Sequence, residues 1–324
     1  MKSHPAISVV MPTYNSASTL LESVRSVLAQ SMSNLELIVC DDASEDDTPN
    51  ILRAVNDPRL KYIRNQSNLG PGLSRDRAIE QACATWIAVI DADDVWLPER
   101  LERLLEVASV APDRLIFDDI MICHSSVHGL VPWREVHGAD AFGGCGIKFR
   151  DITIEDYLNS SRLLIKPLIP LAAIRQAGLC HSSRPFGEDA EYFLRLALAG
   201  VGFSYLPKPL YLYRVQPGSL TASVGQKQMR ECIESCAELD GWSDSVRAAF
   251  KRKIISLRHN ETLYSIIGYI RRGQFFLAAG QFFYDPVVLL ILPRRLLRFI
   301  AYQLHRLRHG GKSRASGGPR TDGQ

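Results

Sequence analysis

The sequence predicts an α/β fold: a mostly parallel, Rossmann-like sheet flanked by helices, with a C-terminal helical extension. Three observations carry this expectation. Short apolar runs alternate with helical patterns over about the first hundred residues, as in parallel strands joined by right-handed crossovers. Three of those runs end in polar clusters, which a parallel sheet brings to one edge. The chain of 324 residues, 46% hydrophobic and 23% charged, can bury a large core with an appendage.

Taken in order, Ile7-Ser8-Val9-Val10-Met11 reads as a strand ending at Pro12-Thr13-Tyr14-Asn15. Ser18 or Thr19 opens a helix whose Leu20, Leu21, Val24, Val27 and Leu28 recur at helical spacing. Leu35 to Cys40 is a second strand, closed by Asp41-Asp42-Ala43-Ser44. A helix from Thr48 to Val55, a strand Leu60 to Ile63, and a helix from Leu73 to Cys83 follow. Trp86-Ile87-Ala88-Val89-Ile90 is then a buried strand.

At its end lies Asp91-Ala92-Asp93-Asp94, three carboxylates where open α/β sheets bind ligands. Alternate carboxylates are hard oxygen ligands, suited to Mg²⁺ or Mn²⁺ that also grips a substrate diphosphate. Asp93 is the first choice as direct ligand, Asp91 assists, and Asp94 is a possible second ligand. The bland alternative is an acidic turn capping the helix near Leu97-Pro98-Glu99. The turn after the first strand holds no glycine, and no Gly-x-Gly-x-x-Gly occurs. A triphosphate-cradling nucleotidyltransferase and a dinucleotide oxidoreductase are therefore disfavoured.

The ordered set Ile7 to Asn15, Asp41 to Ser44 with Asp46-Asp47-Thr48, Asn68-Leu69-Gly70 with Arg75-Asp76, and Asp91 to Asp94 resembles the family 2 glycosyltransferases of the GT-A fold. The resemblance extends through Glu188-Asp189 to Tyr213-Arg214. It implies a UDP-sugar donor, with Pro12, Thr13 and Tyr14 lining a uracil slot and Asp42 accepting from the uracil N–H. Asn68 joins these nucleotide-sugar contacts, Asp91 meets the ribose or the metal, and Arg75 reaches the base or phosphates. Arg75 read alone is a surface salt bridge with Asp76 or a neighbour. The resemblance also implies inversion at the anomeric centre and a polysaccharide or lipid-linked acceptor.

Pro185-Phe186-Gly187-Glu188-Asp189 introduces a helix, Ala190 to Ala199, capped by Gly200. Acids at a helix N-terminus are favourable in themselves. The functional reading makes Asp189 the general base for the acceptor hydroxyl, with Glu188 beside it. Leu210 to Gln216 reads as a late strand before the loop Pro217 to Thr221. Relatives often carry His where this chain has Gln216, a poorer metal ligand, which leaves the diphosphate to Arg214 or to the Ser219–Thr221 loop. The stretch from Ser109 to Lys166 is hard to read beyond a helix from Ile154 to Asn159.

The net charge of +3 conceals an asymmetry. Pro286 to Thr321 holds eight Arg/Lys and no acid; removing those eight from 38 basic residues leaves 30 against 35 acidic ones. From Arg294 a helix would set Leu296, Leu297, Ile300, Leu304 and Leu307 on one side and Arg295 and Arg298 on another. That pattern points to an anionic membrane surface rather than nucleic acid. Its alternative is a terminal helix packed on the body. Val287 to Leu292 is far below the ~20 residues of a spanning helix.

The seven cysteines are odd in number and scattered, with Cys40 and Cys83 expected in the core and no zinc set around Cys232 and Cys236. His124 and His128 lie in a polar, loop-like stretch. No signal peptide is evident, so a reducing, cytoplasmic location on the inner membrane face is expected. The expected divisions are 1–222 for the catalytic domain (1–108 nucleotide-binding, 109–222 acceptor), 223–273 for a helical extension, 274–309 for a basic amphipathic membrane segment and 310–324 for a disordered tail. Met229, Ile233, Cys236 and Leu239 form an apolar stripe in the extension. A non-catalytic scaffold retaining the fold is the alternative from another class.

Overall fold

The computed structural model describes residues 4–126, 129–137, 148–160, 162–215 and 225–288. Its first half alternates strand and helix: β1 (Ile7–Thr13), α1 (Leu20–Leu28), β2 (Leu35–Asp41), α2 (Thr48–Ala54), β3 (Leu60–Arg64), α3 (Pro71–Glu80), β4 (Trp86–Val89), β5 (Val95–Trp96) and α4 (Arg100–Ala108). Strands β1 to β4 are parallel, in the spatial order β3-β2-β1-β4. Helix α3 starts two residues before the expected Leu73, because Pro71 supplies the first helical φ without needing its missing N–H.

The second half makes the sheet mixed. Strand β6 (Leu115–Ser126) pairs in parallel with β10 (Phe203–Val215), while β7 (Gly129–Glu135), β8 (Arg150–Ile152) and β9 (Leu168–Pro170) are antiparallel to their neighbours. Helices α5 (Ile154–Asn159), α6 (Leu171–Ala177) and α7 (Glu188–Leu198) fall between them. Strand β9 is the splice between the halves: it pairs with β4 on one side and β6 on the other.

Strand β6 escaped the sequence reading because Asp118-Asp119 interrupts its apolar run. Both acids are buried and partnered. Asp118 takes a forked pair from Arg100, and Asp119 Oδ1 accepts the Ile120 and His137 N–H groups. Strand β10 is longer than expected because Pro207 and Pro209 obscure it, and its register with β6 slips around Pro209. That irregularity swings Tyr211 to Arg214 across the end of β4, where Tyr211 and Leu212 pair with β5.

Strand residues alternate between two cores. Ile7, Val9, Met11, Leu37 and Val39 pack with α1 and α4, while Val10, Ile38, Ile87 and Val89 face α3 and the helices of the second half. Cys40 is in the core as expected, but Cys83 is exposed at the turn after α3, a correction. Helices α8 (Gly225–Ala237) and α9 (Asp244–Arg271) form the extension. Met229, Ile233 and Cys236 lie inward, joined by Cys232, whereas Leu239 lies past the end of α8 and is exposed.

Helix α10 (Phe275–Tyr284) packs on α9 through Ala278 against Leu263 and Ile266. It leaves Phe275, Phe276, Leu277 and Tyr284 exposed, Phe276 at 95%. No helix among the described residues is long and apolar enough to cross a membrane. The expected helix from Arg294, the 310–324 tail, Gln216, the Ser219–Thr221 loop, and His128 lie outside the described residues.

Candidate active site

The carboxyl ends of β1, β2 and β4 lie side by side, so Thr13, Asp41 and the acidic turn after Val89 share one edge. The polypeptide there is drawn tight. Asn15 and Ala43 adopt the left-handed region, at φ 48° and 63°. Asn tolerates that conformation; for Ala it costs on the order of 1 kcal/mol. Ala43 is held there as Asp41 Oδ1 accepts the Ser44 N–H and Ser44 Oγ accepts that of Asn15.

Asp42 is buried and takes three hydrogen bonds, from Asn65 Nδ2 and from the N–H groups of Leu69 and Gly70. It anchors the loop that starts α3, with one lone-pair direction left over. Asn68 caps that same loop by accepting from Gly70 N–H. Thr13 is buried with its hydroxyl unpartnered, and Tyr14 presents its ring at 47% exposure.

Helix α3 delivers Arg75 into the centre. Its first turn lies against the segment leading to α7, where a Cβ on Gly72 would come within 2.9 Å of His181 Cβ and 3.1 Å of Glu188 Cγ. Only glycine permits that approach. Asp76, the neighbour considered for Arg75, pairs instead with His181 at 2.5 Å, and the His181 ring stacks on Tyr192 at 3.9 Å. Gly187, at φ 84°, turns the chain into α7 with Cys232 packed over it, so that Glu188 and Asp189 open the helix.

Five charged groups then close a ring. Arg75 reaches Asp91 at 3.3 Å and Glu188 at 3.5 Å; Lys166 reaches Asp91 at 2.6 Å and Asp189 at 3.5 Å. Burial alone would raise the Asp91 carboxyl, but Lys166 and Arg75 outweigh it and hold the group below the usual carboxylate range. Burial and the adjacent Asp189 push Glu188 upward against the pull of Arg75. Burial would lower both cations, yet Asp91 and the paired acids hold them charged. Among the described residues Arg75 Nε is buried without a hydrogen-bond partner and Nη1 has only its long contact to Glu188, an arrangement that a bound oxyanion would satisfy.

The three acids of the turn have different fates. Asp94 is fully buried and points inward: Tyr211 Oη donates to its Oδ2 at 2.6 Å, and Arg214 N–H to its Oδ1 at 2.8 Å. Burial, then the charges of Asp93 and Asp91, push it well above the carboxylate range. Its carboxyl serves the turn rather than the cleft. Asp93 has no side-chain partner among the described residues, and burial followed by Asp91 pushes it up to about 6. Arg214 spends its guanidinium on the Asp93 carbonyl, Ser125 Oγ and Glu22, locking the turn from beneath.

A cation fits here only as a guest of the substrate. No group of three or more metal-ligating side chains is present among the described residues. Both Asp91 oxygens already face cations, which leaves Asp93 as the open donor. One or two carboxylates plus substrate phosphates is a usual Mg²⁺ setting, so the donor set suits a cation bound with a diphosphate.

Sequence reasoning missed Lys166 and Tyr211. The signal for Lys166 was a single cation inside the apolar stretch Leu163-Leu164-Ile165-Lys166-Pro167-Leu168-Ile169, which must be buried and therefore paired.

Residues 8–136 match the model of the family described as Glycosyl transferase family 2. The chain is similar to the succinoglycan biosynthesis protein ExoO of Rhizobium meliloti, 28% identical over 226 residues, 67% of this chain and 63% of that protein. The match thus spans less than two thirds of ExoO. It is also similar to the UDP-Glc:alpha-D-GlcNAc-diphosphoundecaprenol beta-1,3-glucosyltransferase WfgD of Escherichia coli, 28% identical over 196 residues, 59% of this chain and 69% of that one. The crystal structure of S. aureus TarS 1–349 in complex with UDP-GlcNAc aligns with a TM-score of 0.66 at 21% identity, covering 85% of this chain and 80% of that one. At that identity the likeness is one of fold, and the fold is the expected GT-A.

Proposed function

We propose, for a chain whose residues 8–136 belong to glycosyl transferase family 2, an inverting transfer of a sugar from a UDP-sugar to a hydroxyl of a glycan or lipid-linked oligosaccharide. The observation that carries this reading is the ring of Asp91, Arg75, Glu188, Asp189 and Lys166, which joins a strand-end nucleotide edge to a helix-borne carboxylate pair. A diphosphate laid along that edge meets the open Arg75 Nε, and the base sits against Tyr14, Thr13 and Pro12. Asp42 and Asn68 hold the loop that closes this slot, and Asp91 faces the ribose. Arg214 contributes by fixing the Asp93 carbonyl.

The acceptor oxygen then attacks the anomeric carbon while the bond to the diphosphate breaks, and the hydroxyl proton passes to Asp189. The carboxylate must lie on the face opposite the departing UDP, and α7 stands across the cleft from the acidic turn. A Mg²⁺ or Mn²⁺ ion bound with the diphosphate would be held by Asp93, with Asp91, and would offset the charge growing on the leaving group. The printed names of ExoO and WfgD, a polysaccharide biosynthesis protein and a transferase acting on a diphosphoundecaprenol acceptor, support the acceptor class. The exposed aromatic face of α10, next to a basic C-terminal stretch, supports docking on an anionic membrane at the cytoplasmic side.

Asp189→Asn tests the reading. Calorimetry with UDP, with Mn²⁺ and with EDTA, should show donor-side affinity nearly intact. UDP release from UDP-sugars should fall by roughly 10²–10⁴-fold, the usual span for a lost general base. Full turnover in Asp189→Asn would remove it from the base role, and no UDP release by the unaltered chain would favour a scaffold.

A further inference from the structure

Lys166 is a buried lysine whose position is set from both sides. Its carbonyl oxygen accepts from Arg100 Nη2 at 2.5 Å, and Arg100 is itself clamped to Asp118. The next residues enter β9, whose pairing to β4 ties Leu168 to Ala88, just before the acidic turn. The side chain, 4% exposed, runs to the two carboxylates. There its ammonium lies 2.6 Å from Asp91 Oδ2 and 3.5 Å from Asp189 Oδ2, while Asp189 Oδ1 accepts the Ala190 N–H.

We propose that Lys166 is a positioning residue that holds the Asp189 carboxylate in register with the donor-side Asp91. The inference rests on the reading of Asp189 as the base. A fold that needed only to fill this space would be served as well by an apolar side chain, because burying an ammonium costs several kcal/mol before its partners compensate. The two contacts differ in the way the role requires. The short one fixes the ammonium to Asp91. The longer one restrains the Asp189 oxygen without saturating it, so that oxygen remains able to take a proton. Arg75 makes the parallel link from Asp91 to Glu188, and among the described residues Lys166 is the cation that forms an ion pair with Asp189.

A double-mutant cycle tests this, because residues that act through one another are non-additive in turnover. The full chain, Lys166→Met, Asp189→Asn and the double variant are compared for UDP release from UDP-glucose, UDP-galactose and UDP-N-acetylglucosamine, using whichever the full chain turns over fastest. Lys166→Met should lower kcat by about 10–100-fold in the unaltered background and by less than about 3-fold in the Asp189→Asn background. Lys166→Arg, which keeps the cation, should recover most of the loss. Equal losses in both backgrounds, or none in the first, overturn the proposal while leaving the function intact. If Lys166→Met does not fold, the same cycle run with Lys166→Gln, which removes the charge but keeps a polar head, decides: a kcat loss of equal size with and without Asp189 overturns the proposal, as does no loss, and one confined to the Asp189 background supports it. Absence of UDP release by the full chain overturns the functional reading and this inference with it.

Discussion

Replacing Tyr211 with phenylalanine removes one oxygen that holds both ends of the acidic turn. Tyr211 Oη donates to Asp94 Oδ2 at 2.6 Å and accepts the Asp91 N–H at 3.2 Å. Tyr211 and Asp94 are fully buried, and Asp91 is partly buried. A typical hydrogen bond contributes about 1 kcal/mol net, and a buried group left without its partner costs about 1–3 kcal/mol. Tyr211→Phe should therefore lower stability by about 2–3 kcal/mol, summed over an orphaned carboxyl oxygen and an orphaned N–H. The ring stays, so its packing on Trp96 and Arg100 is retained and the loss isolates the hydroxyl. Because burial, Asp93 and Asp91 push the Asp94 carboxyl well above its usual range and so disfavour its charged form, Asp94→Asn should stay within about 1 kcal/mol of the parent. Urea denaturation of the three proteins, with calorimetry for UDP, is the assay. Tyr211→Phe within 0.5 kcal/mol of the parent, on the order of measurement error, would refute the reasoning, as would an Asp94→Asn variant less stable than Tyr211→Phe.

Other outcomes follow from single residues. Burial pushes the Lys253 ammonium down to about 8 from its ordinary 10.5. Across that window the unfolded chain holds a proton the folded one lacks, so this group's contribution to stability rises with pH. Lys253→Met should stabilise the fold at pH 7 by roughly 2 kcal/mol, allowing for the lost bond to the Ser160 carbonyl, and the gain should vanish above pH 10.5 in pH-dependent urea melts. Ala43→Gly relieves a left-handed alanine and should raise stability by about 0.5–1 kcal/mol in the same melts; a loss would mean that the strain is absent. Truncation before Pro286 should release the chain from anionic vesicles in co-sedimentation, and raised salt should weaken binding of the full chain, since charges are screened beyond ~10 Å at 0.1 M. A full chain that stays in the supernatant at low salt ends the membrane proposal.

The first half of the sheet was legible because it is built from local signals. Each strand there is a short, mostly apolar run broken at most by a single polar residue such as Ser8 or Glu36, and each polar cluster follows its strand directly, so parallel pairing alone brings Thr13, Asp41 and Asp91 together. The second half hides its strands. Asp118 and Asp119 break the run of β6, and Pro207 and Pro209 break that of β10, in each case because a buried partner or a register slip makes tolerable what the pattern forbids. Glu188 and Asp189 were visible as acids opening a helix, but nothing local linked them to Asp91. That link runs through Lys166 and Arg75, and a contact between residues so far apart in sequence leaves no periodicity behind. Asp94 shows the converse: a carboxylate in an acidic motif can serve the backbone.

The contact of Gly72 with His181 and Glu188, together with the Asp76–His181 pair, has a bearing on how such proteins can be recombined. The halves of the sheet before and after α4 are natural units to exchange between homologues. Here the seam between them is keyed. Helix α3 carries a missing side chain, an arginine and an aspartate, each cut to fit the segment from His181 to Asp189. A chimera joined after residue 136, where the family match ends, would keep the lock and discard the key. Exchange should succeed when α3 travels with the segment that it fits, so the unit of inheritance is discontinuous along the chain.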